Sequence, residues 1–508
     1  MKDYINKNNY GQFYLNGNKF SGELYLKGSK SSLTLWEDED FVSSYHSISD
    51  NFIHGKLFDM SSVTLVGLES LSTGRYSNAV NKYHEEYRYF MKAKPAYMIF
   101  GNRNIVPDEQ EFDSVEFVVN DSTSLFFDHY AFTQIIHADK DLVNELLAAD
   151  GLKSAELFDI SRKDYRVGDY PIISVYTGSD CIYSFATPHG KFSMRHQPSY
   201  TMPSPSGYEL ENKVSCVIEF DGPKSFEQIN SIIPSFIQLF QIIAGQKIEL
   251  KELTLVKSDL NIVESERFSV YRCFDSILEE KDATDSLHPA DRLIAIESDP
   301  KLFETVINNW LSRTSTWDEV RWQFLGSFTN SIYNTDRLVK TANMFDIIPD
   351  SAYPKKVKLG EELENAKREC KAILKKLPDS EEKNSLLGAL GRMGTLTLKH
   401  KMRVRLELIP TNKYFTAQDM NLIIGQAVDC RNHFVHGSKK KFEYYENLEM
   451  VCFFIDTLDF LYGASELIEA GWDFEKWSKL NHLKHPFSRY LNGFDVNLSR
   501  LKDLVANK

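Results

Sequence analysis

Two hydrophobic rhythms divide the chain. Up to about residue 255, apolar and polar positions alternate in short runs closed by turn residues: Gly11-Gln12-Phe13-Tyr14-Leu15 precedes Asn16-Gly17-Asn18, and Gly22-Glu23-Leu24-Tyr25-Leu26 precedes Lys27-Gly28. Similar runs recur at 62–66, 114–119, 172–176 and 214–220. A period of two with turn dipeptides between the runs predicts antiparallel strands, in one sheet or in two packed sheets. A helix is expected to close this region. Ser225 offers a cap ahead of Ile232, Phe236, Leu239, Phe240 and Ile243, and Gly245 offers a stop.

From about 265 the apolar spacing changes to 3.6 and predicts helices over 267–280, 300–312, 317–330, 336–345, 360–377, 381–390, 396–408, 417–430, 444–469 and 474–480. Short connections favour antiparallel neighbours packed as a bundle. The stretch 349–359, with Pro349, Pro354 and several lysines, reads as a linker. The expected fold class is therefore α+β and multidomain. An antiparallel β-rich domain spans 1–255, a helical connector that can belong to the C-terminal unit spans 256–350, and an all-α bundle spans 351–508. A chain of 508 residues exceeds what one hydrophobic core usually organises, which accords with that division.

Composition narrows the class. Hydrophobic residues make up 42% and charged residues 26%, so the chain can bury real cores and is not of the disordered type. The longest apolar run, 451–464, is interrupted by Asp456 and Asp459; it is too short and too charged to span a bilayer and is expected to be a buried bundle helix. The first residues are polar, with no apolar segment ahead of a small-residue cleavage site, so a cytoplasmic protein with no membrane partner is expected. Cysteines at 181, 216, 273, 370, 430 and 452 show neither C-x-x-C nor zinc-type Cys/His spacing. Reduced, buried thiols are the expectation, with no metal and no cofactor. The net charge of −13 argues against a nucleic-acid partner for the chain as a whole. The distribution of that charge points the other way for the C-terminal third: 33 Lys+Arg against 51 Asp+Glu before residue 351 give −18, and 26 against 21 from there on give +5.

Within the basic, helical region stands Asp429-Cys430-Arg431-Asn432-His433-Phe434-Val435-His436-Gly437, directly after an apolar helix; Arg431 and His436 are the only Arg and His so spaced in the chain. The pair suits RNA cleavage without a metal. A neutral imidazole can take the proton from a ribose 2′-OH, and a guanidinium can stabilise the charge that builds on the phosphoryl oxygens. Five residues at ~100° each leave the two side chains roughly 140° apart on a continuous helix, which would not aim them at one phosphate. Either the helix stops near Gly437, or two protomers supply the pair across a two-fold axis.

Arg431-Asn432-His433-Phe434-Val435-His436 looks like the Arg-polar-x3-His signature of the HEPN superfamily of ribonucleases. The runs from Gly11 to Leu15 and from Ser21 to Leu26, with Phe220-Asp221-Gly222-Pro223-Lys224-Ser225-Phe226, resemble the N-terminal domain of ApeA-type anti-phage proteins, which couple it to a HEPN module. The resemblance implies a helical bundle that forms a homodimer or higher homo-oligomer, cuts RNA without metal, leaves a 2′,3′-cyclic phosphate and serves abortive infection. By the same resemblance Arg431 and His436 are expected to be catalytic and Asn432 supportive, with tRNA as the expected substrate. Lys439, Lys440 and Lys441, just past the motif, and His433 are candidate RNA contacts. The acidic β domain is expected to hold the nuclease off until a phage protein binds, since the −18 region before residue 351 suits a protein better than RNA. The opposing reading is non-catalytic. In it Arg431 pairs with Asp429 or a nearby carboxylate, His436 caps its helix, the bundle serves dimerisation and the β domain binds a partner.

Other motifs have plainer readings. The run Lys399-His400-Lys401-Met402-Arg403-Val404-Arg405 is either a phosphate grip or a solvated face. Asp379 three residues before Glu382 reads as a capping box rather than a metal site. Gly388, Gly391 and Gly394 follow no strand and lack the Lys-Ser/Thr of a phosphate cradle, and Gly190-Lys191 lacks the remaining elements too. His482 and His485 have no third ligand near them in sequence and read as surface histidines.

Overall fold

The alternating runs of the first hundred residues pair into a closed barrel. The computed structural model describes residues 4–15, 17–37, 51–81, 84–132, 134–158, 167–176, 178, 180–202, 204–258, 265–274, 286–354, 359–411, 414–480 and 484–506. Strands β1 (Asn8–Leu15), β2 (Asn18–Tyr25), β3 (Ser32–Glu37), β4 (Phe52–Leu57), β5 (Ser62–Asn81) and β6 (His84–Gly101) join antiparallel in the order β6-β3-β2-β1-β4-β5, and β5 returns to β6. The period of two turns Phe13, Leu24, Leu33, Leu35, Ile53, Val63 and Leu65 inward, all fully buried. Phe13 fits because glycines face it: a Cβ on Gly22 would lie 2.7 Å from its ring, and one on Gly55 2.6 Å.

β6 serves two partners along one edge. Residues 89–93 pair with β3 and residues 97–100 with a later strand, so the barrel continues into an open sheet. That sheet is built from β7 (Phe112–Val119), β10 (Cys181–Thr187), β11 (Gly190–Tyr200), β12 (Leu210–Lys224), β13 (Leu250–Lys257) and β14 (Glu266–Arg272), in the order β10-β11-β12-β7-β13-β14. β8 (Gln134–His137) and β9 (Ile172–Val175) form a separate two-stranded ribbon. The spacing from 267 predicts a helix, and the structure corrects this: Arg267–Arg272 lies in β14, while 275–280 fall outside the described residues. Phe268, Val270 and Tyr271 fit either period, and ladder bonding to β6 and β13 decides between them.

The predicted closing helix, α1 (Phe226–Ala244), is present with both its signals. Ser225 and Gln228 make a reciprocal capping box, and Gly245 ends the helix at φ 68°. One side covers the open sheet, with Phe236 stacked on Phe192 at 5.0 Å between ring centres. Its other contacts reach the helical region, where Trp310 donates to the Ser235 carbonyl and Gln238 to Asp318, both at 2.9 Å. One apolar core runs unbroken from the sheet into the bundle.

The bundle comprises α2 (Pro300–Ser312), α3 (Thr314–Phe328), α4 (Thr335–Ile347), α5 (Glu361–Lys375), α6 (Glu381–Arg392), α7 (Leu398–Leu406), α8 (Ala417–His436), α9 (Leu448–Glu469) and α10 (Pro486–Ala506). The fold class is thus α+β, an antiparallel β-rich region followed by a helical one. The apolar run at 451–464 is the buried heart of α9, and among the described residues no helix is long and apolar enough to cross a membrane. α10 has no counterpart in the predicted helices, although Pro486 opens it and Phe487, Tyr490, Leu491, Phe494, Leu498 and Leu501 recur at helical spacing on its buried face.

Several local expectations change. Cys216, Cys273 and Cys430 are buried, but Cys181 and Cys370 are exposed. His485 is a core histidine: its Nε2 donates to the Ile242 carbonyl at 3.0 Å and its Nδ1 accepts from the Phe487 amide. His482 lies outside the described residues. The cap of α6 is Ser380, accepting from the Lys383 amide, while Asp379 pairs with the Lys383 ammonium at 2.8 Å.

Candidate functional site

The site is built on the last turns of α8. Thr416 caps the start of this helix by accepting from the Asp419 amide, and Met420, Ile423, Ile424, Ala427 and Val428 bury its apolar face in the core. Apolar spacing predicts a helix over 417–430; the helix runs on to His436 and ends at Gly437, φ 66°. Apart from the glycine and its chain neighbours, no heavy atom lies within 4 Å of the place a Cβ would take on Gly437, so Gly437→Ala adds backbone strain alone. A loss of about 1 kcal/mol is expected in denaturant unfolding.

The helix is continuous across the motif, yet its two side chains converge. Arg431 Nη1 lies 3.2 Å from His436 Nε2. The 140° separation is overcome by the length of the arginine, whose guanidinium reaches along the surface to the imidazole on the final residue. A guanidinium can only donate, so His436 accepts at Nε2 and is the neutral imidazole in this arrangement. Arg431 is partly exposed and His436 exposed, leaving the pair open to a ligand.

What holds the guanidinium is chiefly Asn343, on α4. Its Oδ1 accepts from both Arg431 Nη2 at 2.7 Å and Nε at 3.2 Å, and Asn432 Oδ1 accepts from Nη1 at 3.0 Å. Asn343 lies 88 positions from Arg431 and no local pattern marks it; only the packing of α4 against α8 brings the two together. Asp429 does not pair with Arg431. It binds Lys399 at 2.7 Å and lies 3.8 Å from Lys441. Among the described residues no carboxylate makes an ion pair with Arg431, so its charge is uncompensated beside the neutral His436.

The neighbouring candidates divide. His433 Nδ1 donates to the Ser438 carbonyl at 2.7 Å and its ring packs on Tyr444, holding the turn after the helix. Lys439 is exposed, Lys440 pairs with Glu443, and Lys441 leans toward Asp429. Much of the 399–405 run is committed within the fold: Lys399 to Asp429, Lys401 to Asp346 at 3.2 Å, and the fully buried Arg405 to Glu469 at 2.7 Å. Arg403 alone of its lysines and arginines is exposed. Burial pushes the Cys430 thiol up to about 12, so the cysteine next to Arg431 is no nucleophile. Among the described residues no cluster of three or more His, Cys, Asp or Glu could hold a metal ion.

Two family models match the chain: ApeA N-terminal domain 1 over residues 8–310, and Apea-like HEPN over residues 339–476. No curated protein and no solved structure matches it. The HEPN match contains both Asn343 and the whole of Arg431 to His436, and the N-terminal match covers more than half of the 508 residues. The chain therefore belongs to the ApeA family, an ApeA N-terminal domain followed by a HEPN domain of the HEPN-type anti-phage effectors.

Proposed function

We propose that this protein is a metal-independent endoribonuclease acting in abortive infection, with Arg431 and His436 as its catalytic residues and tRNA as its substrate. The observation that carries the reading is the 3.2 Å approach of an uncompensated guanidinium to an open imidazole at the end of α8. His436 Nε2 takes the proton of the ribose 2′-OH as that oxygen attacks the adjacent phosphorus. The guanidinium moves from the imidazole onto the phosphoryl oxygens, where negative charge accumulates. The bond from phosphorus to the 5′-oxygen breaks, that oxygen takes a proton from water to become the 5′-hydroxyl of the downstream fragment, and the upstream fragment ends in a 2′,3′-cyclic phosphate. Asn432 helps to orient the guanidinium, and the exposed Lys439, with Lys440, Lys441 and His433, contacts the flanking RNA backbone.

Asn343 is a positioning residue in this scheme. Its carbonyl oxygen pins two of the guanidinium nitrogens, so Asn343→Leu is expected to lower kcat roughly ten- to a hundred-fold while KM stays within about twofold. Asn343→Asp, which keeps the acceptor, should retain more activity than the leucine variant. Equal activity in all three proteins would remove Asn343 from the scheme.

The protein is expected to act in the cytoplasm as a homodimer or larger homo-oligomer, silent until a phage protein binds the acidic N-terminal region. Cells expressing it should arrest growth on phage infection, or on co-expression of the trigger, and Arg431→Ala should abolish the arrest. Arrest that survives in Arg431→Ala would count against the assignment.

A further inference from the structure

Helix α5 buries none of its residues. It packs on α6, and only Asn365, Lys367 and Leu374 are partly covered. Yet Leu363, Ala366, Cys370 and Ile373 follow one another at steps of three, four and three, Leu377 stands four further on just past the helix end, and all are exposed, Ile373 by 62%. That is the a/d repeat of a coiled-coil seam, turned to solvent. A helix of this length is marginal in water without tertiary cover, so the stripe calls for an occupant.

The charges on α5 point to what it is. Glu361, Glu362 and Glu364 occupy the first turn, and Lys371, Lys375 and Lys376 the end. Among the described residues none of the six has an ion-pair partner. Laid parallel on its own copy, such a helix sets like charge on like; laid antiparallel, it sets acid on base and opposes the two macrodipoles. We infer that this face is where a second copy of the chain docks, α5 against α5, antiparallel about a two-fold axis at Arg368. That register places Leu363 level with Ile373 of the second copy and Ala366 level with Cys370 of the second copy, so large meets large and small meets small. Glu362 and Lys376 flank the seam and meet across it. Glu369, near the axis, sits beside Arg368 and Lys371. A seam this short lies at the low end of specific interfaces, on the order of 1,000 Å² in total. The inference adds a surface and an orientation to the oligomer proposed above and does not depend on what Arg431 and His436 do.

Sedimentation of the full chain over a concentration series tests it. The wild type should dimerise, and Ile373→Glu should be monomeric with an unchanged circular dichroism spectrum, since no core residue is touched. Glu362→Lys should weaken the dimer roughly three- to ten-fold, and adding Lys376→Glu to the same chain should restore it. Under mild oxidation in a Cys181→Ser background, Ala366→Cys should give a disulfide-linked dimer through Cys370, and the chain with native Ala366 should not. A chain that is monomeric throughout would overturn the proposal and give the stripe to RNA or another protein. So would a dimer indifferent to Ile373→Glu. Ready linkage of Cys370 to its own copy without the Ala366 substitution would overturn the antiparallel register.

Discussion

Alanine in place of His436 is expected to slow RNA cleavage by the triggered protein about 10²–10⁴-fold, the range of a lost general base. Arg431→Ala should cost about 10²–10³-fold, the range of a lost charge partner in the transition state. Combining the two should be little worse than the more damaging single change, because a base without its charge partner, or the reverse, no longer works as a unit. Arg431→Lys should rescue poorly. An ammonium keeps the charge, but it cannot bind Asn343 through two nitrogens while a third reaches His436. Neither side chain belongs to the buried core, so thermal unfolding should move little in these variants. Single-turnover kinetics on one RNA checks all four, and a His436→Ala protein within a few-fold of wild type would contradict the assignment.

The largest loss of stability is expected far from the chemistry, at Glu466. This carboxylate is fully buried in α9 and accepts from Arg321 at 2.8 and 3.2 Å and from Arg313 at 2.7 Å, with Arg405 3.9 Å away. Arg321 is fully buried as well and lies over the Trp310 ring at 3.5 Å. Removing one partner of such a cluster leaves guanidinium charge in the interior without compensation. Glu466→Gln should therefore lower unfolding stability by about 3–5 kcal/mol. Breaking the exposed pair of Arg500 and Glu449, at 2.6 Å, should change it by less than about 1 kcal/mol. Urea denaturation of the two variants separates the cases, and equal small losses would contradict the view that Glu466 is the charge centre of the bundle.

Which features are legible in the sequence follows from the range of the forces involved. Strand runs announce themselves by alternation, α1 by Ser225 and Gly245, and the helices from α2 to α9 by spacing, because each is set by local pattern and cap chemistry. Barrel closure is invisible there, since the joining of β5 to β6 and of β4 to β1 is a matter of register between segments, not of any one segment. The strand at 266–272 reads as a helix because its apolar residues satisfy both periods, and only its neighbours in the sheet choose. Arg431 and His436 are legible as a spaced pair, but their meeting is not: helical geometry alone argues against it, and the reach of one long side chain reverses the answer. Asn343 cannot be found from sequence, because its importance lies in a contact between two helices whose packing no motif encodes.

The most direct measurement is the chemistry of the cut ends. Purified protein, activated by its trigger, is incubated with total tRNA in EDTA beside His436→Ala, and the 3′ termini of the fragments are analysed. Attack by the 2′-OH under an imidazole base requires EDTA-resistant fragments ending in 2′,3′-cyclic phosphate, absent with His436→Ala. Fragments ending in 3′-hydroxyl, cutting abolished by EDTA, or equal cutting by the variant would contradict it.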